Sequence, residues 1–496
     1  MSIFSLCYFI FITLGLLAYY LVPNKIKPII LLIMSVIFVF SNSIFGFLVV
    51  VLTSFLAYVT AKQISTKINK KKYLILSLVC EILILFFLKY LFDLPAFTRA
   101  INIYSKTFII NTFVKKYIYP IGMSYFVLQI ISYIFDVYWE RIEYEKSYWK
   151  LLLYTCYFPQ LIQGPISKYS ELHNQLFKEH CLCMKNLKYG VQLVLYGTIK
   201  KMIIADRAGV IVNEIFYNDT LPKGWVIFFG LLIYGVQLYC DFSGGIDIIR
   251  GISQCFDIDL KENFRQPFFS LSLGDFWRRW HMSLGEWMKD YVFYPLSISK
   301  TFGKIKSKIK NKTNRKFANR VIMSASNIIV FSLVGIWHGL GTNFFAWGLY
   351  NGIILAISVI LADKYVQWKK TFKIDSKSIG WKAFSLLRTF AIVTIGWVFD
   401  CATTAKGSVQ LFVNSFKFCS SNMSQYSISK TELSIVLLFF AIVMVIDVLH
   451  EKNYSIRDYL NKKPVIIQFA LWIIIIQIIA VFSKTNTYGG FMYANF

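Results

Sequence analysis

Residues 3–22 read IFSLCYFIFITLGLLAYYLV, and none of these side chains is charged. A helix of about 20 apolar residues is long enough to cross the hydrocarbon core of a bilayer. The first basic residue is Lys25, so the run lacks the positively charged start of a cleaved signal peptide. The stretch therefore predicts a retained first membrane span.

Similar apolar runs recur along the whole chain, and each predicts a spanning helix. They cover residues 3–22, 28–42, 44–61, 73–92, 117–139, 190–216, 224–250, 320–338, 343–362, 383–400, 432–449 and 465–482. Two further stretches, 148–166 and 268–297, are apolar but interrupted by proline and polar residues. We expect them to be re-entrant or interfacial helices, which survive at membrane depth when they are buried in protein.

The composition supports the same interpretation. Hydrophobic residues make up 56% of the chain and charged residues 16%, with a mean hydropathy of +0.55. Soluble domains average about 45–50% apolar and about 25% charged residues. The sequence has no internal repeat and no low-complexity linker, so we predict one all-α, polytopic membrane domain over residues 1–496.

The net charge is +27, which is consistent with binding either to nucleic acid or to an anionic membrane surface. The basic residues lie between apolar runs, and this pattern favours lipid headgroups over nucleic acid. Three basic loops, 62–72, 300–320 and 364–382, are predicted to face the cytoplasm. The alternation of spans then places the N-terminus and the tail after Lys484 outside.

Several kinds of chemistry have no support in the sequence. The nine cysteines are scattered without a CxxC pair, so neither a zinc ribbon nor a redox dithiol is indicated, and no metal site is predicted. No GxSxG, HExxH, Walker A or GxGxxG motif occurs. Nucleotide hydrolysis and metalloprotease activity are therefore disfavoured.

The segment 274–294, GDFWRRWHMSLGEWMKDYVFY, carries the densest group of polar residues. Aromatic and apolar residues recur in it at helical spacing, which predicts one amphipathic helix. Its polar face holds Arg278, His281 and Lys289, with Arg279 and Asp290 beside them. Such a helix could simply lie at the headgroups, or it could contribute a histidine to a site.

A second histidine, His338, ends the apolar run 321–337 and precedes Gly339. A glycine at this position typically ends a helix. Histidine is the side chain whose proton moves near neutral pH, which suits a general base. A histidine satisfied by a backbone carbonyl is the structural alternative, but His281 and His338 are the two histidines that apolar segments enclose.

Several motifs together resemble the membrane-bound O-acyltransferase (MBOAT) family, in particular the branch with the bacterial alginate O-acetylation membrane protein. They are YPIGMSYFVLQIISYIFDVY (119–138), FPQLIQGPI (158–166), IKKMIIAD (199–206), QLYCDFSGGIDI (237–248), ENFRQPFFSLSLGDFWRRWHMSLGEWMKDYVFYPL (262–296) and GIWHG (335–339). The WRRWH motif and the TYGGFMYANF tail favour this branch over the sister group that transfers D-alanine to teichoic acids.

The resemblance implies a ring of tilted helices around a thin core with a central tunnel. It places the catalytic histidine at His338 and the second functional histidine at His281. We expect Arg278, Arg279, Trp280, Trp337, Asp241 and Asp290 to contact substrate or support the histidines. No bound cofactor is expected. The resemblance also implies an acyl thioester donor such as acetyl-CoA, which enters from the cytoplasm. On the acceptor side it implies an extracytoplasmic SGNH-type partner of the serine-hydrolase kind.

These expectations describe a multi-pass protein of the bacterial cell membrane. The acceptor stays open among a secreted polysaccharide, peptidoglycan and teichoic acid. A transporter or flippase without acyl chemistry is the alternative from another class, because broken helices and intramembrane charges fit it too.

Overall fold

The computed structural model describes residues 5–90, 122–218, 221–417 and 425–484. Within these ranges the regular structure is helical, apart from one isolated bridge between Phe264 and Trp280. The predicted all-α fold is therefore confirmed. The start of the predicted span 117–139 and the 487–496 tail motif lie outside the described residues.

The α-helices are numbered here in chain order. They are α1 (Leu6–Leu21), α2 (Lys27–Asn42), α3 (Ile44–Thr66), α4 (Lys70–Tyr90), α5 (Met123–Tyr138), α6 (Tyr148–Cys156), α7 (Tyr169–Leu176), α8 (Met184–Thr198), α9 (Asp206–Phe216), α10 (Trp225–Cys255), α11 (Leu273–Arg279), α12 (Met282–Met288), α13 (Tyr294–Ser297), α14 (Lys300–Lys312), α15 (Arg315–His338), α16 (Thr342–Ile360), α17 (Ala362–Thr371), α18 (Ile379–Asp400), α19 (Ala405–Ser415), α20 (Lys430–Glu451), α21 (Ile456–Asn461) and α22 (Val465–Phe482).

Seven of the described helices are long and apolar enough to cross a membrane: α3, α10, α15, α16, α18, α20 and α22. Their burial differs sharply. In the most apolar part of α10, 78% of the residues are buried inside the protein, against 6% in α22. A helix that is apolar all round and yet exposed requires lipid around it, so α22 presents most of its surface to lipid whereas protein encloses most of α10.

The chain folds as two compact units, which are interleaved in sequence. Among the described residues, the first contains 5–90, 122–197 and 245–261, and the second contains 198–218, 221–244, 262–417 and 425–484. The predicted single membrane domain stays a prediction.

The core of the first unit is aromatic. The rings of Tyr8 and Phe38 lie 5.7 Å apart, Phe158 packs 6.2 Å from Phe38, and Phe256 packs 5.9 Å from Phe158. The stretch 148–166 contributes to this core as helix α6 followed by non-helical turns, nearly all of it buried. Burial in protein is what allows non-helical backbone to persist at membrane depth.

In the second unit, α15 and α16 form a close antiparallel pair joined by three residues. Glycine makes this approach possible. A Cβ at Gly335 would lie 2.3 Å from the carbonyl oxygen of Phe344, and one at Gly348 would lie 2.3 Å from that of Phe331. Small residues at helix contacts are a common way to pack helices in membranes, and here they fix the position of the α15 C-terminus.

Two of the predicted basic loops contain helices. Residues 300–312 form α14, whose first turn is capped by Ser299, and residues 362–371 form α17. Lys316 and Arg320 from one loop both pair with Asp363, the residue directly before the other loop, at 2.7 and 2.6 Å. Both loops carry residues predicted to face the cytoplasm; the orientation itself stays a prediction.

Candidate active site

The segment around His281 is not the continuous helix that the periodicity predicts. Helix α11 ends at Arg279, α12 begins at Met282, and His281 between them has φ 47° and ψ 52°. Such left-handed backbone is uncommon for residues other than glycine and is held in place by the surrounding structure. The prediction of one amphipathic helix over 274–294 is therefore wrong at this position.

A short pairing with residues 263–265 causes the break. The Arg265 N–H donates to the carbonyl of Arg279 at 2.9 Å, and the Met282 N–H donates to the carbonyl of Asn263 at 3.0 Å. The ring of Trp280 packs edge-on against Phe264 at 5.0 Å. Because these partners take the Arg279 carbonyl and the Met282 N–H, the helical hydrogen-bond ladder is interrupted at His281.

The side chain of His281 is 4% exposed. Its ring stands edge-on to Phe242 at 4.7 Å and lies 6.5 Å from the ring of Trp337. Its Nδ1 is 3.4 Å from Oδ1 of Asn263. Burial, and secondarily the proximity of His338, hold the pKa of His281 well below its usual value, so the ring is neutral at pH 7.

His338 is the last residue of α15, as the following glycine predicts. Its half-buried ring lies 5.0 Å from Trp337 and 5.4 Å from Trp347, nearly perpendicular to the latter. The structure thus brings His281, Trp337 and His338 into one aromatic cluster, from segments that are distant in sequence. These three are residues that the sequence singles out.

Other predicted site residues have different surroundings. Trp280 is buried between Phe264 and Phe276. Arg279 donates to both carboxylate oxygens of Glu451 at 2.7 and 3.1 Å. The side chain of Arg278 is 73% exposed and lies 3.5 Å from Asp275.

Asp290 and Asp241 also lie in different surroundings. Asp290 is half-buried in the π-helical turn Lys289–Phe293. Asp241 lies in α10, where Nζ of Lys201 is 2.5 Å from its Oδ1 and 2.8 Å from Oδ1 of Asp206. Next to this pair, Nζ of Lys200 donates to Oγ of Ser243 at 3.0 Å.

Sequence reasoning missed Lys200, Lys201 and Asn263. Two lysines inside the apolar run 190–216 were a visible signal, because charges within spanning segments are costly and pair with one another. They occupy the π-helical turn Ile199–Ala205, a distortion often found at functional sites. Asn263 gave no such signal, because its partners His281 and Ser283 belong to a different segment of the sequence.

The described residues contain no group of three or more histidine, cysteine or acidic side chains placed to hold a metal ion. What the cluster offers is a neutral imidazole, a second imidazole at a helix end, and indole rings around both. Such an arrangement can move a proton inside an apolar environment.

Residues 37–367 match the family model MBOAT, membrane-bound O-acyltransferase family. The chain is 29% identical to a Pseudomonas syringae pv. tomato protein named "Probable alginate O-acetylase AlgI", over 79% of this chain and 70% of the relative. It is 29% identical to a peptidoglycan O-acetyltransferase of Helicobacter pylori, over 81% and 77%. It is 27% identical to a teichoic acid D-alanyltransferase of Bacillus subtilis, over 56% and 67%.

Proposed function

The chain belongs to the membrane-bound O-acyltransferase family, and from this premise we propose that it transfers an acetyl group to a polysaccharide or cell-envelope polymer outside the cytoplasm. The donor is an acyl thioester such as acetyl-CoA, presented from the cytoplasm. The named activities of the relatives support an O-linked acceptor of this class, since they concern alginate, peptidoglycan and teichoic acid.

One observation carries the proposal: His281 and His338 lie around the same buried indole ring, Trp337. His338 ends a helix that starts at the basic loop 300–320, so the predicted topology puts it toward the outer end of α15. His281 lies in the interrupted stretch 268–297, directly before the basic loop 300–320 that is predicted to face the cytoplasm. A site reached from opposite sides is what transfer across a membrane needs.

The chemistry is a thioester-to-ester exchange. The acceptor hydroxyl oxygen attacks the thioester carbonyl carbon, a C–O bond forms, and the C–S bond breaks. His338 accepts the hydroxyl proton during attack and returns it to the departing thiolate, so atoms and protons balance without a further reactant. Positioned proton transfer of this kind accelerates reactions by about 10²–10⁴-fold.

Trp337 and the surrounding rings exclude water from the thioester, which would otherwise be hydrolysed. Asp241 contributes from a distance, because its ion pair with Lys201 fixes α10, and α10 carries the Phe242 ring that contacts His281. The acceptor is either the polymer itself or a serine of an extracytoplasmic SGNH-type partner that completes the transfer.

Reconstitution of the purified protein in lipid vesicles tests the proposal. Acetyl-labelled thioester is supplied on one side and a hydroxyl-bearing polymer, with and without a secreted esterase-type partner, on the other. We expect covalently labelled polymer or partner, and none in protein-free vesicles. Label that accumulates in the vesicles without a covalent product would instead support the transporter alternative.

A parallel assay with a D-alanyl thioester addresses the second candidate, which the likeness to the Bacillus subtilis D-alanyltransferase favours. Faster transfer from the acetyl donor supports acetylation. Faster transfer from the D-alanyl donor would replace it with teichoic acid D-alanylation.

A further inference from the structure

Asn263 lies against His281 and is 1% exposed. We propose that Asn263 is a positioning residue that holds His281 in the tautomer with hydrogen on Nδ1, so that Nε2 presents a lone pair to substrate. The catalytic meaning of this assignment rests on the proposed function, but the tautomer itself can be tested separately.

The orientation of the Asn263 amide is fixed by a backbone group. The N–H of Ser283 points at the Asn263 side chain, with a nitrogen-to-Oδ1 distance of 2.9 Å. A backbone N–H can only donate, and an amide NH₂ can only donate as well. The atom that faces Ser283 must therefore be the amide oxygen, since the flipped amide would place two donors together.

The same oxygen determines the state of His281. Nδ1 of the ring is 3.4 Å from Oδ1 of Asn263. Because that oxygen can only accept, Nδ1 must carry the hydrogen. A neutral imidazole has one N–H, and burial keeps the pKa of His281 well below its usual value. Nε2 is then unprotonated at neutral pH.

Asn263 also holds the backbone on which the ring stands. His281 occupies the position before α12 but its own side chain does not cap that helix. The carbonyl of Asn263 accepts from the Met282 N–H at 3.0 Å and its side chain accepts from the Ser283 N–H. One residue, distant in sequence, thus caps α12 and orients the imidazole at its start.

This assignment changes what His281 can do in the reaction. A ring with an unprotonated Nε2 can accept a hydrogen bond, so it can orient an O–H or N–H group of a substrate. It cannot donate to the negative charge that develops on the thioester oxygen. We therefore assign His281 to substrate orientation through Nε2, and assign stabilisation of that charge to other groups.

The direct test is nitrogen NMR of the full chain in lipid, with ¹⁵N-labelled histidine. The sequence has five histidines, and the His281→Asn variant identifies the signals of His281. We expect protonated Nδ1 and unprotonated Nε2 at neutral pH in the wild-type protein. A wild-type ring protonated on Nε2 alone would overturn the proposal, whether or not acyl transfer has been detected.

Two variants test the positioning role. Asn263→Asp keeps an acceptor for His281 and Ser283, but its negative charge favours imidazolium; we expect the same tautomer and an acid limb of the kcat profile moved to higher pH. Asn263→Ala removes the acceptor, and we expect a mixed tautomer and a fall in kcat of at least about 10-fold, as loss of a tautomer-setting partner produces.

Asn351→Ala is the matched control, because Asn351 is also buried in the second unit but donates within its own helix to Trp347. We expect it to lower the melting temperature without changing kcat per folded molecule. An Asn263→Asp protein with the wild-type pH profile, or an Asn263→Ala protein with the wild-type tautomer and kcat, would contradict the positioning role.

Discussion

The second unit contains two buried polar regions that are satisfied in different ways. In the lysine cluster, formed by Lys200, Lys201, Asp206, Asp241 and Ser243, the two ion pairs of Lys201 are within 2.8 Å. In the histidine pair, formed by His281 and His338, the neighbours are indole and phenyl rings and the Asn263 amide.

The two regions show that buried polar groups can serve either to stabilise the fold or to carry out chemistry. Buried charges that pair with one another fix the arrangement of helices, and breaking one such pair is costly. Imidazoles packed among aromatic rings gain little from charge pairing, and their nitrogens remain suited to proton transfer. The lysine cluster should therefore control stability, and the histidine pair should control turnover.

Replacement of His281 should lower turnover more than replacement of any residue in the lysine cluster. We expect His281→Ala to lower kcat by about 10²-fold, as misplacement of a bound substrate can do. Because alanine is strained at φ 47°, His281→Asn is the control, since asparagine tolerates left-handed backbone. Equal loss of acyl transfer in both variants assigns the effect to the imidazole; recovery with asparagine would assign it to the backbone.

Replacement of Lys201 should give the largest loss of stability. Lys201→Met leaves Asp206 and Asp241 buried without their shared cation, which should destabilise the protein by about 3–5 kcal/mol. Thermal unfolding in detergent measures this, with the exposed Lys304→Met as control. The triple variant Lys201→Met, Asp206→Asn, Asp241→Asn should regain much of the loss. A stable Lys201→Met protein without acyl transfer would place the cluster in the site instead.

The histidine pair should also respond to pH through His281. In the folded protein its pKa is lowered well below the usual value, whereas an exposed imidazole titrates near about 6.5. Below that pH the unfolded state binds more protons, so stability falls as the pH falls. We expect the melting temperature to drop more between pH 7.5 and 5.5 for wild type than for His281→Asn; equal drops would contradict a buried neutral ring.

The smallest effect is expected at Arg279. Its pair with Glu451 is partly exposed to solvent, and such pairs contribute about 1 kcal/mol or less. Arg279→Gln should therefore leave kcat and KM unchanged. If Arg279 instead binds the donor, KM for the thioester should rise, and Lys304→Gln at an exposed position serves as the control.

The sequence predicts the long helices well because their signal is local. The predicted span 465–482 has the same bounds as helix α22, and His338 ends its helix as Gly339 indicates. The break at His281 could not be predicted, because helical periodicity continues across it while the partners that interrupt it, residues 263–265, are specified by a different segment. The roles of Lys201 and Asn263 depend on equally distant contacts.

The central claim, that the imidazole of His338 performs the proton transfer, is tested most directly by single-turnover acyl transfer with His338→Ala in lipid vesicles. His450→Ala, a half-buried histidine in α20, is the matched control. We expect His338→Ala to melt like wild type and to form product about 10²–10⁴-fold more slowly, with His450→Ala unaffected. Product formation by folded His338→Ala at the wild-type rate would contradict the claim.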